Sequence, residues 1–229
     1  MNFLTSPRYH GVVTNKPDLN FWLVTDFVTG HSLAKLVNQP ELKSLYKIRR
    51  KDRLKMSACL ASAMDYLHTK DLVHGDITPS NVLVCRHGDT KEIKITDFGL
   101  LEYKSIVEDP CYIPASGKTS STCFQPPEVL AEGEAWSMKA DVWSLGALLL
   151  EWNLESYMWD SHCIDKAKTS YVSNAGKKQE PIRFGLKIRS SSFEFLWDCL
   201  SYTIKKRPSA KSITDGLEML VLQVSDKRK

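Results

Sequence analysis

The sequence predicts an α+β fold, a small β-rich opening followed by a large and mainly helical remainder. Two observations carry this expectation. At the start, YHGVV and FWLVTDFV are rich in aromatic and β-branched residues and flank the polar turn TNKPDLN, the pattern of a hairpin. Further on, SMKADVWSLGALLLEW is apolar almost all round from Val142, the pattern of a helix buried in a core and too short to span a membrane.

Between and beyond these landmarks the elements follow in order. Ser32 is placed to cap a helix on which Leu33, Leu36 and Val37 recur at helical spacing before Pro40 interrupts them. A longer helix carries Leu54, Ser57, Leu60, Ala61, Met64 and Leu67 as a mostly apolar stripe and ends near HTKD. NVLVCRHGDTKEIKIT reads as two short strands around a Gly-Asp turn. Residues 100 to 127 have no clear period and carry Pro, Gly, Ser and Thr, a long loop of the kind that is usually functional. Near the end, SSSFEFLWDCLSY opens with a Ser191-x-x-Glu194 capping box, and RPSAKSITDGLEMLVL starts a helix at Pro208.

Composition bounds the function. A chain of 229 residues with 42% hydrophobic and 25% charged side chains has the make-up of an ordinary globular protein, one large domain or two small ones. The net charge of +4 is too mild and dispersed to call for nucleic acid. Its densest run, KSLYKIRRKDRLK from Lys43 to Lys55, reads first as a solvated helix face or loop and second as a contact for an anionic partner. The cysteines (Cys59, Cys85, Cys111, Cys123, Cys163, Cys199) show no C-x-x-C and no zinc spacing, so they read as free thiols in a reducing compartment. MNFLTSPRYHG has neither a basic nor an apolar signal region, and no membrane span is visible; a cytoplasmic location is expected.

The chemistry concentrates in VHGDITPSNVLV and ITDFGL. Asp76 and Asn81 share one short loop, and the following hairpin returns Asp97 to the same end of a small sheet. Hard divalent cations such as magnesium take oxygen ligands, usually one or two from protein and the rest from water and phosphate. Asn81 and Asp97 fit that role, which leaves Asp76 to accept a proton from an attacking hydroxyl.

VHGDITPSNVLV followed by IKITDFGL resembles the catalytic loop and magnesium loop of eukaryotic-type protein kinases, whose patterns are H-R-D-x-x-x-x-N and D-F-G. A D-F-G tripeptide alone is a weak signal; order and spacing carry the match. CFQPPEVL resembles the A-P-E element with Glu128 as its acid, DVWSLGALLLEW the buried central helix beginning at Asp141, and KKRPS supplies Arg207 as the partner of Glu128. FWLVTDFVTGHSL resembles the last N-lobe strand, the hinge and the first C-lobe helix. The resemblance runs from about residue 8 to 222 and implies a protein-kinase-like fold: residues 1–28 as remnant N-lobe strands and hinge, 29–229 as the C-lobe. It also implies ATP and Mg2+ as cofactors and a protein as substrate. Thr25 becomes the gatekeeper, Asp26 and Val28 offer backbone groups to an adenine, and Leu83 packs beneath it. His74 becomes a packing residue behind Phe98. Asp141 caps its helix and braces the catalytic loop, and the Glu128–Arg207 pair is structural.

The sequence departs from that pattern. It holds no G-x-G-x-x-G and no V-A-I-K-like lysine ahead of the hinge, the elements that roof the phosphates in kinases. Each such element is commonly worth about two to three decades in rate, so a barely active or inactive monomer is expected. Gly75 stands where many kinases carry an arginine, and Thr78 where Ser/Thr kinases keep a lysine facing the transferred phosphate. Ser121 still matches a hydroxyl held near the catalytic aspartate. Three readings follow: a pseudokinase that binds or regulates a partner kinase, an enzyme whose roof comes from a partner chain or upstream sequence, or a truncated product whose opening strands expose an edge. The sequence leaves the oligomeric state open.

Overall fold

The structure, a computed structural model, describes residues 5–15, 20–88, 90–99, 102–103, 124–132, 136–155 and 191–226. It is α+β. Strands β1 (Tyr9–Asn15) and β2 (Asn20–Thr25) form the expected antiparallel ribbon, with Val12 opposite Leu23 and Val13 opposite Trp22. Adjacent residues Val12 and Val13 point to opposite faces and both are exposed, as are Trp22 and Leu23, so neither face of the ribbon is covered among the described residues.

A three-stranded sheet sits at the head of the helical body. Its order is β3–β5–β6, formed by β3 (Gly30–Ser32), β5 (Val82–His87) and β6 (Thr90–Ile95), all antiparallel. The hairpin β5–β6 is the predicted one, and Gly88 at its turn takes a left-handed φ of 60° that suits glycine. Strand β3 was not legible in the sequence, being too short to show alternation. It exists because β5 needs a second partner, and a Cβ on Gly30 would strike the Val84 carbonyl. The free edge of β6 is met by the opening segment, where the Ile95 N–H donates to the Thr5 carbonyl at 2.7 Å.

Helix α1 (Leu33–Asn38) is capped as expected by Ser32, whose hydroxyl accepts from the Lys35 N–H. Pro40, which ends α1, opens α2 (Pro40–Tyr46), since a proline is tolerated in a first turn. Helix α3 (Arg50–Thr69) follows, then β4 (Leu72–Val73), which pairs with β7 (Glu102–Tyr103) at the start of the stretch expected to be loop. The remaining helices are α4 (Pro127–Glu132), α5 (Met138–Leu154), α6 (Glu194–Trp197) and α7 (Ala210–Asp226).

The core lies where α3, α5, α6 and α7 meet. Helix α5 buries residues on every side, as its uniformly apolar sequence requires: Trp143, Leu145, Leu148, Leu149 and Leu150 join Leu60 and Met64 of α3 and Ile213 and Leu217 of α7. Each fully buried Leu or Ile contributes about 1.5 to 3 kcal/mol. Cys199 packs so closely against Gly146 that any Cβ there would collide with it. Of the cysteines, Cys59, Cys85 and Cys199 are free thiols; Cys111, Cys123 and Cys163 lie outside the described residues. No helix among the described residues is long and apolar enough to cross a membrane.

Three capping expectations are corrected. Ser191 does not cap α6: Ser191–Phe193 form a 3-10 turn, and the cap is Phe193 with no side-chain bond, so the box motif falls a turn too early. Pro208 is not the head of α7, because Ser209 caps it with its hydroxyl accepting from the Ser212 N–H. Asp141 does not cap α5 either. That role belongs to Ser137, whose hydroxyl accepts from the Ala140 N–H.

Candidate active site

The loop from His74 to Asn81 joins β4 to β5, so its two ends are fixed by different sheets. Its start is held from below by Asp141. Fully buried on α5, that carboxylate accepts from the His74 N–H at 2.8 Å, the Gly75 N–H at 3.0 Å and His68 Nε2 at 3.1 Å. The expected brace is therefore present, and His68, which the sequence offered only as the end of α3, joins it.

His74 is a packing residue. Its buried ring lies 5.2 Å from that of Phe98, and Nδ1 accepts from the Asp76 N–H at 3.3 Å. Burial pushes its pKa below 6.5 against the upward pull of Asp141, Asp76 and Asp97. The imidazole is thus neutral near pH 7, with its proton on Nε2 so that Nδ1 can accept.

Asp76 and Asn81 meet directly. The Asn81 amide donates to the Asp76 carboxylate at 2.7 Å and to its main-chain carbonyl at 3.0 Å, closing the loop on itself. With both bonds made by Nδ2, Asn81 Oδ1 faces away and carries no hydrogen bond among the described residues. The Asn81 carbonyl accepts from Thr96 twice, through N–H at 2.8 Å and Oγ1 at 3.1 Å, which delivers Asp97 to the end of the loop. Asp97 is exposed and has a left-handed φ of 62°, a conformation that costs a non-glycine residue about 1 to 2 kcal/mol and gathers at functional sites. Its Oδ1 accepts from the Gly99 N–H at 3.2 Å, leaving Oδ2 outward.

A carboxylate oxygen and an amide oxygen, neither hydrogen-bonded among the described residues, are hard donors of the kind magnesium takes when phosphate and water complete its shell. Among the described residues no group of three or more His, Cys, Asp or Glu side chains could hold a metal by itself. Two oxygen donors are what the chain would offer an ion whose remaining ligands come from phosphate and water.

The residues expected around an adenine lie on β2, on the link from β2 to β3, and on β5 just past Asn81. Thr25 ends β2 and is exposed; Val28 is half-buried in the link to β3; Leu83 is half-buried on β5 opposite Ser32 and Lys94. Asp26 spends its N–H on the Arg8 carbonyl at 2.8 Å, and its own carbonyl accepts from the Thr25 hydroxyl at 3.4 Å, which leaves that oxygen one lone pair for a further donor. Its exposed carboxylate turns back to His10 at 2.6 Å and the Arg8 N–H at 3.1 Å. The His10 hydrogen bond, then the Arg8 N–H, holds it below the usual carboxylate range. The sequence offered no signal for this His10–Asp26 contact. Ser121 lies outside the described residues.

Behind the loop, Arg207 and Glu128 form the expected pair as a two-pronged fork, Nη1 to Oε1 at 2.6 Å and Nη2 to Oε2 at 2.8 Å. The guanidinium also donates to the carbonyls of Ser201 and Lys139, both at 2.9 Å, and lies 4.9 Å from the Trp143 ring. This fork ties α4 to the segment entering α7.

The family described as protein tyrosine and serine/threonine kinase matches residues 6–217. The chain belongs to that family. It is 28% identical to the tyrosine-protein kinase Abl of Drosophila melanogaster over 94% of this chain and 12% of that protein. With the serine/threonine-protein kinase DCLK2 of Mus musculus it shares 30% identity over 85% of this chain and 24% of the other. With the serine/threonine-protein kinase RUNKEL of Arabidopsis thaliana it shares 30% over 58% of this chain and 9% of that protein. The chain thus spans a quarter or less of the length of these kinases. Tyrosine and serine/threonine kinases both stand among the relatives, so the kinase family is established without a choice between hydroxyls.

Proposed function

We propose that this kinase domain binds Mg-ATP through Asn81 and Asp97 and uses Asp76 to orient a protein hydroxyl for phosphorylation. The observation that carries the proposal is the Asn81 amide bonded to Asp76. It holds the carboxylate in place for a hydroxyl proton and, because Nδ2 makes the bond, leaves the amide oxygen available to a cation. Magnesium, when bound, neutralises charge on the phosphates. The chain's own residues do the rest: Asp76 accepts the hydroxyl hydrogen bond, Asn81 fixes Asp76, and Asp141 fixes the loop. Thr25, Asp26, Val28 and Leu83 would flank the adenine, with the Asp26 carbonyl as acceptor. Residues 1–28 would serve as strands and hinge, and 29–229 as the helical lobe.

Phosphoryl transfer by this chain alone is expected to be slow, because its sequence holds no G-x-G-x-x-G and no V-A-I-K-like lysine ahead of the hinge to neutralise phosphate charge. A thermal melt with ATP, with and without magnesium, tests the reading. Nucleotide at 100 times its dissociation constant should stabilise the fold by about 2.7 kcal/mol. Asp97→Asn should remove the magnesium-dependent part and keep the fold, and an unchanged shift in that variant refutes the metal assignment. A second reading, a pseudokinase acting on a partner kinase, is favoured by Thr78. It is 5% exposed at the position where the family's Ser/Thr members carry a phosphate-facing lysine. A clean melt with no response to nucleotide, with or without magnesium, selects that reading.

A further inference from the structure

The basic run from Lys43 to Lys55 takes no part in the candidate active site, yet the fold gives it a concave form. A cavity of 730 Å3 opens between α2, the turn into α3 and the outer end of the β5–β6 hairpin. Its lining includes Lys43, Lys47, Arg49, Arg86 and Lys91 together with the buried Tyr46, and among the described residues none that lines it is acidic. Three of these cations come from the run; Arg86 and Lys91 are added by the hairpin. The volume falls within the range of ligand sites.

The charge there is only partly met. Lys91 pairs with Asp52 at 3.1 Å, Arg49 Nε lies 3.8 Å from the same carboxylate, and Lys43 pairs with Glu155. Among the described residues, five positive charges thus face two negative ones. Arg86 is held by carbonyls, donating to Gly88 and Leu45, both at 2.8 Å, so its position is fixed while its charge meets no carboxylate among the described residues. Lys47 is exposed, sits in a left-handed conformation at the end of α2, and has no ion pair among the described residues.

We propose that this trough docks an acidic segment of a partner protein, with Asp and Glu side chains on the rim cations and an apolar side chain against Tyr46. The cations are spread along an open trough, which suits a linear series of carboxylates better than a single anion. They also surround a concavity, which a flat lipid surface would not fill. Arg86 is pinned before any ligand arrives, so less freedom is lost on binding. From Asn81 to Arg86 the strand covers about 16 Å, so a segment held here is remote from Asp76 and acts as a tether that raises the local concentration of whatever carries it. The proposal stands on charge and shape and does not depend on the domain being catalytically active.

The test is fluorescence polarisation with a labelled Glu-Glu-Asp-Leu-Asp-Glu-Glu-Glu peptide, its lysine-substituted counterpart, and vesicles containing phosphatidylserine. The acidic peptide is expected to bind, to weaken as salt is raised, and to lose about ten-fold or more in affinity with Lys47→Glu/Arg49→Glu, while Lys47→Arg/Arg49→Lys retains it. Should the double charge reversal lower the melting temperature, Lys47→Gln, at an exposed position, takes its place with an expected loss of about three-fold. Equal binding of the lysine peptide, or undiminished binding by the charge-altered variants, overturns the proposal. So does tighter binding to the vesicles than to the peptide.

Discussion

Removing the Glu128 carboxylate should destabilise this domain more than almost any other single change near the surface. Arg207 is 2% exposed and Glu128 is 9% exposed, so the pair has been taken out of water on both sides. Without Glu128 the guanidinium keeps two carbonyl acceptors and the Trp143 ring, but no countercharge. Breaking a buried pair by removing one partner commonly costs about 3 to 5 kcal/mol. In a domain of this size each kcal/mol lowers Tm by about 2 to 4 °C, so Glu128→Ala should fall by about 6 to 20 °C. Circular dichroism melts measure this directly, and because the pair is shielded from solvent the drop should survive high salt. Glu128→Leu combined with Arg207→Met removes both charges and should recover much of the loss, since an apolar pair of similar volume is often neutral or better. A Glu128→Ala protein melting with the parent, or a double variant no better than the single, would refute the buried fork as the reason.

Two further outcomes can be measured. Asp141→Ala leaves the His74 and Gly75 N–H groups without their acceptor, and at about 1 to 3 kcal/mol for each orphaned group the loss should be about 2 to 6 kcal/mol in urea denaturation; a loss well under this range would mean the loop is braced elsewhere. His74 predicts a pH dependence. Its folded pKa is depressed below 6.5, so the unfolded chain takes the proton first; the stability is complete above 6.5 and is lost as pH falls below it toward the folded value. Melting temperature should therefore drop from about pH 7 to about pH 5 more steeply in the parent than in His74→Phe, which keeps the contact with Phe98 without titrating. Parallel curves for the two proteins would remove His74 from the explanation.

The sequence by itself determined the α+β class, the ribbon at the start, the β5–β6 hairpin and the buried α5, because each is written in local periodicity over a run long enough to read. It also marked Asp76, Asn81 and Asp97 as a group from residue type and spacing, and the kinase resemblance followed from their order. Glu128 and Arg207 were found only through that resemblance, for no local pattern links residues 79 positions apart. Tertiary structure alone decided the rest. Strand β3 forms because a neighbouring strand needs its hydrogen bonds met. Phe193 rather than Ser191 begins α6 because the preceding turn winds as a 3-10 helix. Asp141 braces the loop instead of capping its own helix because α5 passes beneath His74 and Gly75. Arg86 and Lys91 join a basic run far from them in the chain because the hairpin folds back beside α2. Periodicity records which face of an element is apolar, whereas the partner of a buried charge is fixed only when distant elements are brought into contact.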